Sequence, residues 1–78
     1  MLDYLKTIIG PLVERPDDIR FVTFEGEKTF IAEMRCSGQN KDMGKLIGKN
    51  GKNISAIRTL VGSAAARQGR RAVVEVVE

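Results

Sequence analysis

An α+β fold is what this sequence predicts: three helices laid on one face of a three-stranded mixed sheet, in the order helix, strand, strand, helix, helix, strand. Three patterns carry that expectation. Apolar residues recur at steps of three and four in two separate stretches, Leu2, Leu5, Ile9 and Leu12 near the start and Ile54, Ile57, Val61, Ala64 and Ala65 further on, which is the period of a helix with one buried face. Residues 29–36 instead alternate with period two, as a strand half-buried on one side does. The chain closes on RRAVVEVV, a branched run of strand character. One layer of helices on one sheet buries each of these apolar faces once. The chain has 78 residues and is expected to form a single domain, 1–78. A domain of that size buries only about 60% of the surface its unfolded chain exposes, so a partner that covered more apolar surface would add stability.

The first helix is expected over residues 2–14, with Ile8 and Val13 widening its apolar stripe. Gly10 and Pro11 interrupt it, and a proline inside a helix forfeits a hydrogen bond at a cost of about 3 kcal/mol, so a kink or a frayed second half is predicted. Pro16 with Asp17 and Asp18 ends the element. Residues 19–24, IRFVTF, read as the first strand, and Glu25 to Lys28 turn the chain into the second. There Phe30, Ala32, Met34 and Cys36 share one face while Glu33 and Arg35 share the other, with Ile31 a lone apolar residue on the polar side. Phe21, Phe24 and Phe30 all read as core. Ser37 to Asn40 read as loop, with Asn40 the N-cap of a short helix over 41–47. The longest helix is expected over 51–67, with Leu60 at the margin of its core face and Gly69 as its stop. The last strand, 70–77, puts Ala72, Val74 and Val76 on one face and must cross over from the helical pair to rejoin the sheet.

Between the two later helices lies GKLIGKNGKNI, residues 44–54. Gly48 and Gly51 bracket Lys49 and Asn50, with Ile47 before and Ile54 after. Glycine carries no Cβ and tolerates positive φ, so such a bend lets its backbone approach another molecule closely. Loop N–H groups and the first turn of the following helix favour phosphate, and Lys45, Lys49 and Lys52 surround them with positive charge. The same pair of glycines also fits a plain interhelical turn, one closing a helix and the other opening the next. With 8 glycines in the chain the spacing alone decides nothing. Charge adds a second observation. The net charge is only +3, yet residues 41–71 hold Lys41, Lys45, Lys49, Lys52, Arg58, Arg67, Arg70 and Arg71 against the single acid Asp42, a balance of +7. Charge so segregated points to an anionic partner, the alternative being a solvated basic face.

The run IGKNGKNI, an isoleucine, then GxxG, then an apolar residue three positions on, resembles the core signature of the KH domain, whose loop clamps four nucleotides of RNA backbone. The stretch DMGKLIGKNGKNISAIRTLV and the ending RRAVVEVVE extend that resemblance over nearly the whole chain, to the small bacterial single-KH proteins of the KhpA family. The resemblance implies a type II KH-like domain, whose element order is the one read above from periodicity. It further implies a cytoplasmic protein that binds single-stranded RNA and dimerises with itself or with a second KH protein, KhpB (Jag), as part of a post-transcriptional regulator or RNA chaperone. On this sequence the clamp residues are Lys45, Ile47, Gly48, Lys49, Asn50, Gly51, Lys52 and Ile54, with bases lying toward Ile47, Ile54 and Ile31. The segment 37–41 departs from the family pattern, being slightly longer and without the proline often found there, which bears on where the short helix starts. Four aromatic residues, Tyr4 and the three phenylalanines, leave few stacking platforms, so weak and lightly selective binding is expected.

The long helix offers another surface. Ser55, Ala56, Thr59, Gly62, Ser63 and Ala66 fall on its outward side, all small and uncharged where a solvated helix face is normally charged. They predict the close approach of a second helix and a two-fold homodimer, against the plainer reading of an alanine-rich helix with a mild surface. No histidine and a single cysteine, Cys36, remove the usual zinc ligand sets and any Ser/His/Asp or Cys/His pairing. A nucleotide-binding P-loop needs four residues between its glycines and a Ser or Thr after the lysine, whereas Gly44 and Gly48 are one residue too close and Lys52 precedes Asn53. No enzyme activity, metal or cofactor is therefore expected. No stretch reaches the length that crosses a membrane, consistent with a cytoplasmic location. The competing reading is a protein-interaction module in which the bend helps form an oligomer and RNA is incidental.

Overall fold

A computed structural model describes residues 1–36 and 42–77. Its elements run α1 (Leu2–Ile9), β1 (Arg20–Glu25), β2 (Thr29–Arg35), α2 (Asp42–Ile47), α3 (Lys52–Arg67) and β3 (Arg71–Val77), with 3-10 turns at Gly10–Leu12, Pro16–Asp18 and Lys49–Gly51. The sheet order is β1-β2-β3, with β1 antiparallel and β3 parallel to the central β2. A parallel neighbour cannot be reached by a hairpin, so the α2–α3 pair serves as the crossover. This is the α+β mixed sheet that the periodicities predict. The expected loop at 37–40, the Asn40 cap and the start of the short helix at Lys41 lie outside the described residues.

The first helix is shorter than its apolar stripe. Pro11 has no N–H to give the carbonyl of Thr7, so the α-helix ends at Ile9 and the chain tightens into a 3-10 turn before Val13 becomes extended at φ −124°. The end of α3 is closed more firmly. Gly69 N–H bonds the Ala66 carbonyl at 3.0 Å and Arg70 N–H the Ala65 carbonyl at 2.8 Å, the paired bonds of a Schellman stop. Arg71 N–H then bonds Lys28 O and the chain enters β3.

One apolar layer holds the helices to the sheet. Leu5 and Ile9 of α1, Leu46 of α2 and Ile54, Ile57 and Val61 of α3 pack on Phe30, Ala32, Met34, Cys36 and Val74. Phe30 is fully buried at the centre, a contribution of about 1.5–3 kcal/mol. The expectation that all three phenylalanines are core is corrected here. Phe21 is half-buried beneath α1, with Lys6 Nζ 5.4 Å from its ring centroid, but Phe24 is 59% exposed. The two are three residues apart on one strand, and odd spacing puts them on opposite faces. Among the described residues no helix is long and apolar enough to cross a membrane.

Candidate nucleic-acid interface

The α2–α3 junction is made within four residues, and three of those four have positive φ. Gly48 sits at φ 76°, ψ 172°, a region in essence closed to residues with a Cβ. Asn50 at φ 58° and Gly51 at φ 74° are left-handed, which asparagine tolerates better than most side chains. Gly48 N–H ends α2 on the Gly44 carbonyl at 2.8 Å, and Gly51 N–H bonds Gly48 O at 3.2 Å. No turn bond among the described residues uses the N–H of Lys49 or Asn50. Those two amides stand at an exposed tip beside the start of α3, with no backbone acceptor among the described residues.

A side chain the sequence reading passed over fixes this bend. Asn53 Nδ2 donates to the Lys45 carbonyl at 2.7 Å, tying the last turn of α2 to the first turn of α3. An asparagine so close after a glycine pair reads as one more polar loop residue, so only the folded geometry brings it out. Ile47 is half-buried and Ile54 is 8% exposed, so the two isoleucines anchor the bend to the core from either side. Ile31 does not join them: it points to the open side of the sheet, away from the helices, and is 37% exposed there.

The lysines are not equivalent. Lys49 and Lys52 are exposed, and neither takes part in an ion pair among the described residues. Lys45 Nζ instead lies 2.6 Å from Glu14 Oε1. Behind that pair, Asp42 is 2% exposed and accepts the backbone N–H groups of Glu14 at 3.1 Å and Arg15 at 2.8 Å. The one acid of the basic stretch is thus a structural carboxylate that holds the chain before β1 against α2. Burial pushes the Cys36 thiol pKa up, and the charge of Asp42 adds to the rise. Farther along α3, Arg58 Nε donates to the Val74 carbonyl at 3.0 Å, so part of the basic segment is spent on the edge strand. Lys41, the remaining basic residue of the α2 side, lies outside the described residues.

On the outward side of α3, Ser55, Ala56, Thr59, Ser63 and Ala66 are exposed and Gly62 is half-buried, with Thr59 Oγ1 turned back on the Ser55 carbonyl at 3.1 Å. Leu60 beside them is 46% exposed. Of the expected RNA-binding residues, the fold brings Lys45 through Ile54 together at one junction, while the small α3 residues form a separate strip that starts near Lys52.

Comparisons with known proteins agree with this architecture. A family model described as KhpA/KhpB, KH domain, matches residues 3–76. The chain is similar to proteins named RNA-binding protein KhpA. It is 42% identical over 78 residues to that of Chlamydia pneumoniae, covering 100% of this chain and 97% of the relative. It is 39% identical over 77 residues to that of Clostridium acetobutylicum (99% and 100%) and 38% identical over 77 residues to that of Borreliella burgdorferi (99% and 92%). No solved structure matches the chain.

Proposed function

We propose, because this chain belongs to the KhpA/KhpB KH-domain family, that it binds single-stranded RNA by the backbone at the Gly48–Gly51 bend. One observation carries the reading: two N–H groups with no turn partner among the described residues, at Lys49 and Asn50, stand at an exposed tip between Lys49 and Lys52 and next to the N-terminus of a 16-residue helix. Phosphate is the ligand that suits such donors, and relatives that cover the whole chain are named as RNA-binding proteins. Lys45, Lys49 and Lys52 supply the charge, Gly48 and Gly51 the close approach, Ile47 and Ile54 the apolar walls. Unstacked bases are readable only in single strands, which favours that form over duplex. In this reading the whole chain acts as one KH domain, without a catalytic step, in the cytoplasm, as part of a post-transcriptional regulator or RNA chaperone.

The working form proposed is a dimer. The exposed, uncharged strip Ser55, Thr59, Gly62, Ser63 and Ala66 on α3 suits the close approach of a second helix, from another copy or from a KhpB-type KH protein.

Replacing Lys49 and Asn50 together with Asp tests the RNA reading, because Asp also tolerates the left-handed conformation at position 50. Oligoribonucleotide binding is expected to vanish while the circular dichroism and the sedimentation mass stay as they were. Binding that survived would leave the bend as a plain turn, and RNA would have to bind elsewhere.

A further inference from the structure

The face of the sheet that carries no helix holds most of the exposed large apolar surface. Phe24 is 59% exposed, Val22 51%, Val73 42% and Ile31 37%. Strand register makes them neighbours. Phe24 pairs with Ile31 across β1 and β2, and Ile31 with Val73 across β2 and β3, giving one apolar row over all three strands. The Phe24 ring leans over Gly26, where a Cβ would meet its Cε2 at 3.0 Å, so the exposed aromatic is backed by the hairpin turn.

The charges around this row discriminate among occupants. On one side the next register row is Val22, Glu33 and Glu75, and beyond it lie Arg20 and Arg35. On the other side is Thr29 with Arg71. Arg35 already holds Glu33 at 3.1 Å, so Glu75 is the carboxylate beside the apolar row that is left to meet a partner's cation, and it disfavours a phosphate backbone laid along that edge. A second copy fits. A two-fold axis crossing the strands at the Phe24, Ile31, Val73 row sets that row on itself and carries Arg71 of each copy over Glu75 of the other. It also moves the Arg20 and Arg35 end toward the opposite hairpin turn, where Glu27 lies. A two-fold axis along the strands would instead stack Glu33 on Glu33 and Arg35 on Arg35. Neither Arg71 nor Glu75 takes part in an ion pair among the described residues, so both are available to such a contact.

We propose that the open face of the sheet is a self-association surface, on which a second copy seats its own Phe24, Ile31 and Val73 row about a two-fold axis running across the strands. The inference is independent of the RNA reading and of the α3 strip, which lies in the opposite layer. Three strands about 4.8 Å apart and about seven residues long give a footprint near 350 Å² per copy, well below the roughly 800 Å² per partner of a stable complex. The association is therefore weak and is populated only at high protein concentration.

Sedimentation in a Thr59→Arg background, which closes the α3 strip, isolates this surface. From about 10 μM to about 1 mM, a range suited to a small interface, the mean mass is expected to rise. Phe24→Ser should abolish the rise and Arg71→Glu should weaken the association about tenfold, by setting like charges opposite one another twice over. Adding Glu75→Arg to Arg71→Glu should restore it, since the swapped pair is again complementary. All four changes are at exposed positions, and circular dichroism checks that each variant folds. A mass that never rises, or one that Phe24→Ser and the charge reversal leave alone, overturns the proposal. So does a double swap that fails to rescue. Oligoribonucleotide that moved the Phe24, Ile31 and Val73 resonances in a titration would overturn it in favour of a nucleic-acid platform.

Discussion

Asn53 occupies the space that a side chain on Gly48 would need: an added Cβ would lie 2.7 Å from Asn53 Cγ and 2.8 Å from its backbone nitrogen. Since Gly48 also holds φ 76° and ψ 172°, conformation and contact both demand glycine. At Gly51 only the first demand applies, because the nearest atom to an added Cβ is Ile54 Cγ2 at 4.0 Å. Gly48→Ala is therefore expected to cost about 3–4 kcal/mol, strain and overlap together, and Gly51→Ala about 1–2 kcal/mol for a left-handed residue. Urea midpoints of the two variants decide it, and equal losses would refute the account of the bend.

Asn53→Leu separates position from charge. It keeps the bulk of the side chain and removes the bond to the Lys45 carbonyl, at an expected cost of about 1–2 kcal/mol. Every lysine remains, so RNA affinity should fall while the slope of log K against log salt stays near −2 to −3, the value for three or four phosphate contacts on a single strand. A slope that changed along with the affinity would mean that Asn53 acts on the charges and not on the shape of the bend.

Much of this fold could be read in the sequence because α3 and β2 each carry one unbroken period from end to end. The bend was equally plain, since its glycines and lysines are local. Two kinds of feature escaped. Residue type alone places Phe24 in the core, although its odd spacing from Phe21 on one strand puts one of the two outside. Asp42 reads in the sequence only as a lone acid in a basic stretch, because Glu14 and Arg15, whose N–H groups it accepts, lie 28 and 27 residues away. No local pattern records a contact of that range, and the same holds for Arg58 on Val74.

Asp42→Asn tests the buried carboxylate. A carboxylate that accepts two backbone N–H groups loses one good acceptor on conversion to an amide, and bonds to a charged group are worth about 1.5–3 kcal/mol each. The expected result is a loss of that order in stability, with faster hydrogen exchange confined at first to the Glu14 and Arg15 amides. Unchanged exchange there would show that the chain before β1 is held by something else.

Cys36 sets an alkaline limit. Its pKa is raised above the ordinary 9.0, by burial first and by Asp42 second, so the folded chain holds the thiol proton more tightly than the unfolded chain does. That contribution is complete below about pH 9 and is lost as pH rises toward the folded value. Replacing Cys36 with Val keeps a small apolar side chain and removes the titration. Stability of Cys36→Val should fall less than that of the parent as the pH is raised above about 9, and parallel curves would count against the assignment.

If the bend holds phosphate as proposed, the Lys45 to Glu14 contact at 2.6 Å weakens RNA binding while it adds slightly to the stability of the fold. Glu14 is 78% exposed at its side chain, so the pair is solvent-screened and adds about 0–1 kcal/mol to stability. A phosphate that approaches the bend must nevertheless share Lys45 with a carboxylate that is already in place. Glu14→Gln removes the competitor and keeps the shape of the side chain, while its backbone N–H can still bond Asp42. RNA binding is then expected to tighten about two- to five-fold, with the urea midpoint almost unmoved, as suits one screened pair. The salt slope should steepen by up to about 0.7, the increment for one more neutralised phosphate on a single strand. Lys45→Gln should do the reverse in both respects. If affinity and slope ignored both substitutions, Lys45 would belong to the scaffold and the phosphate contacts would reduce to Lys49, Lys52 and the amides of the bend.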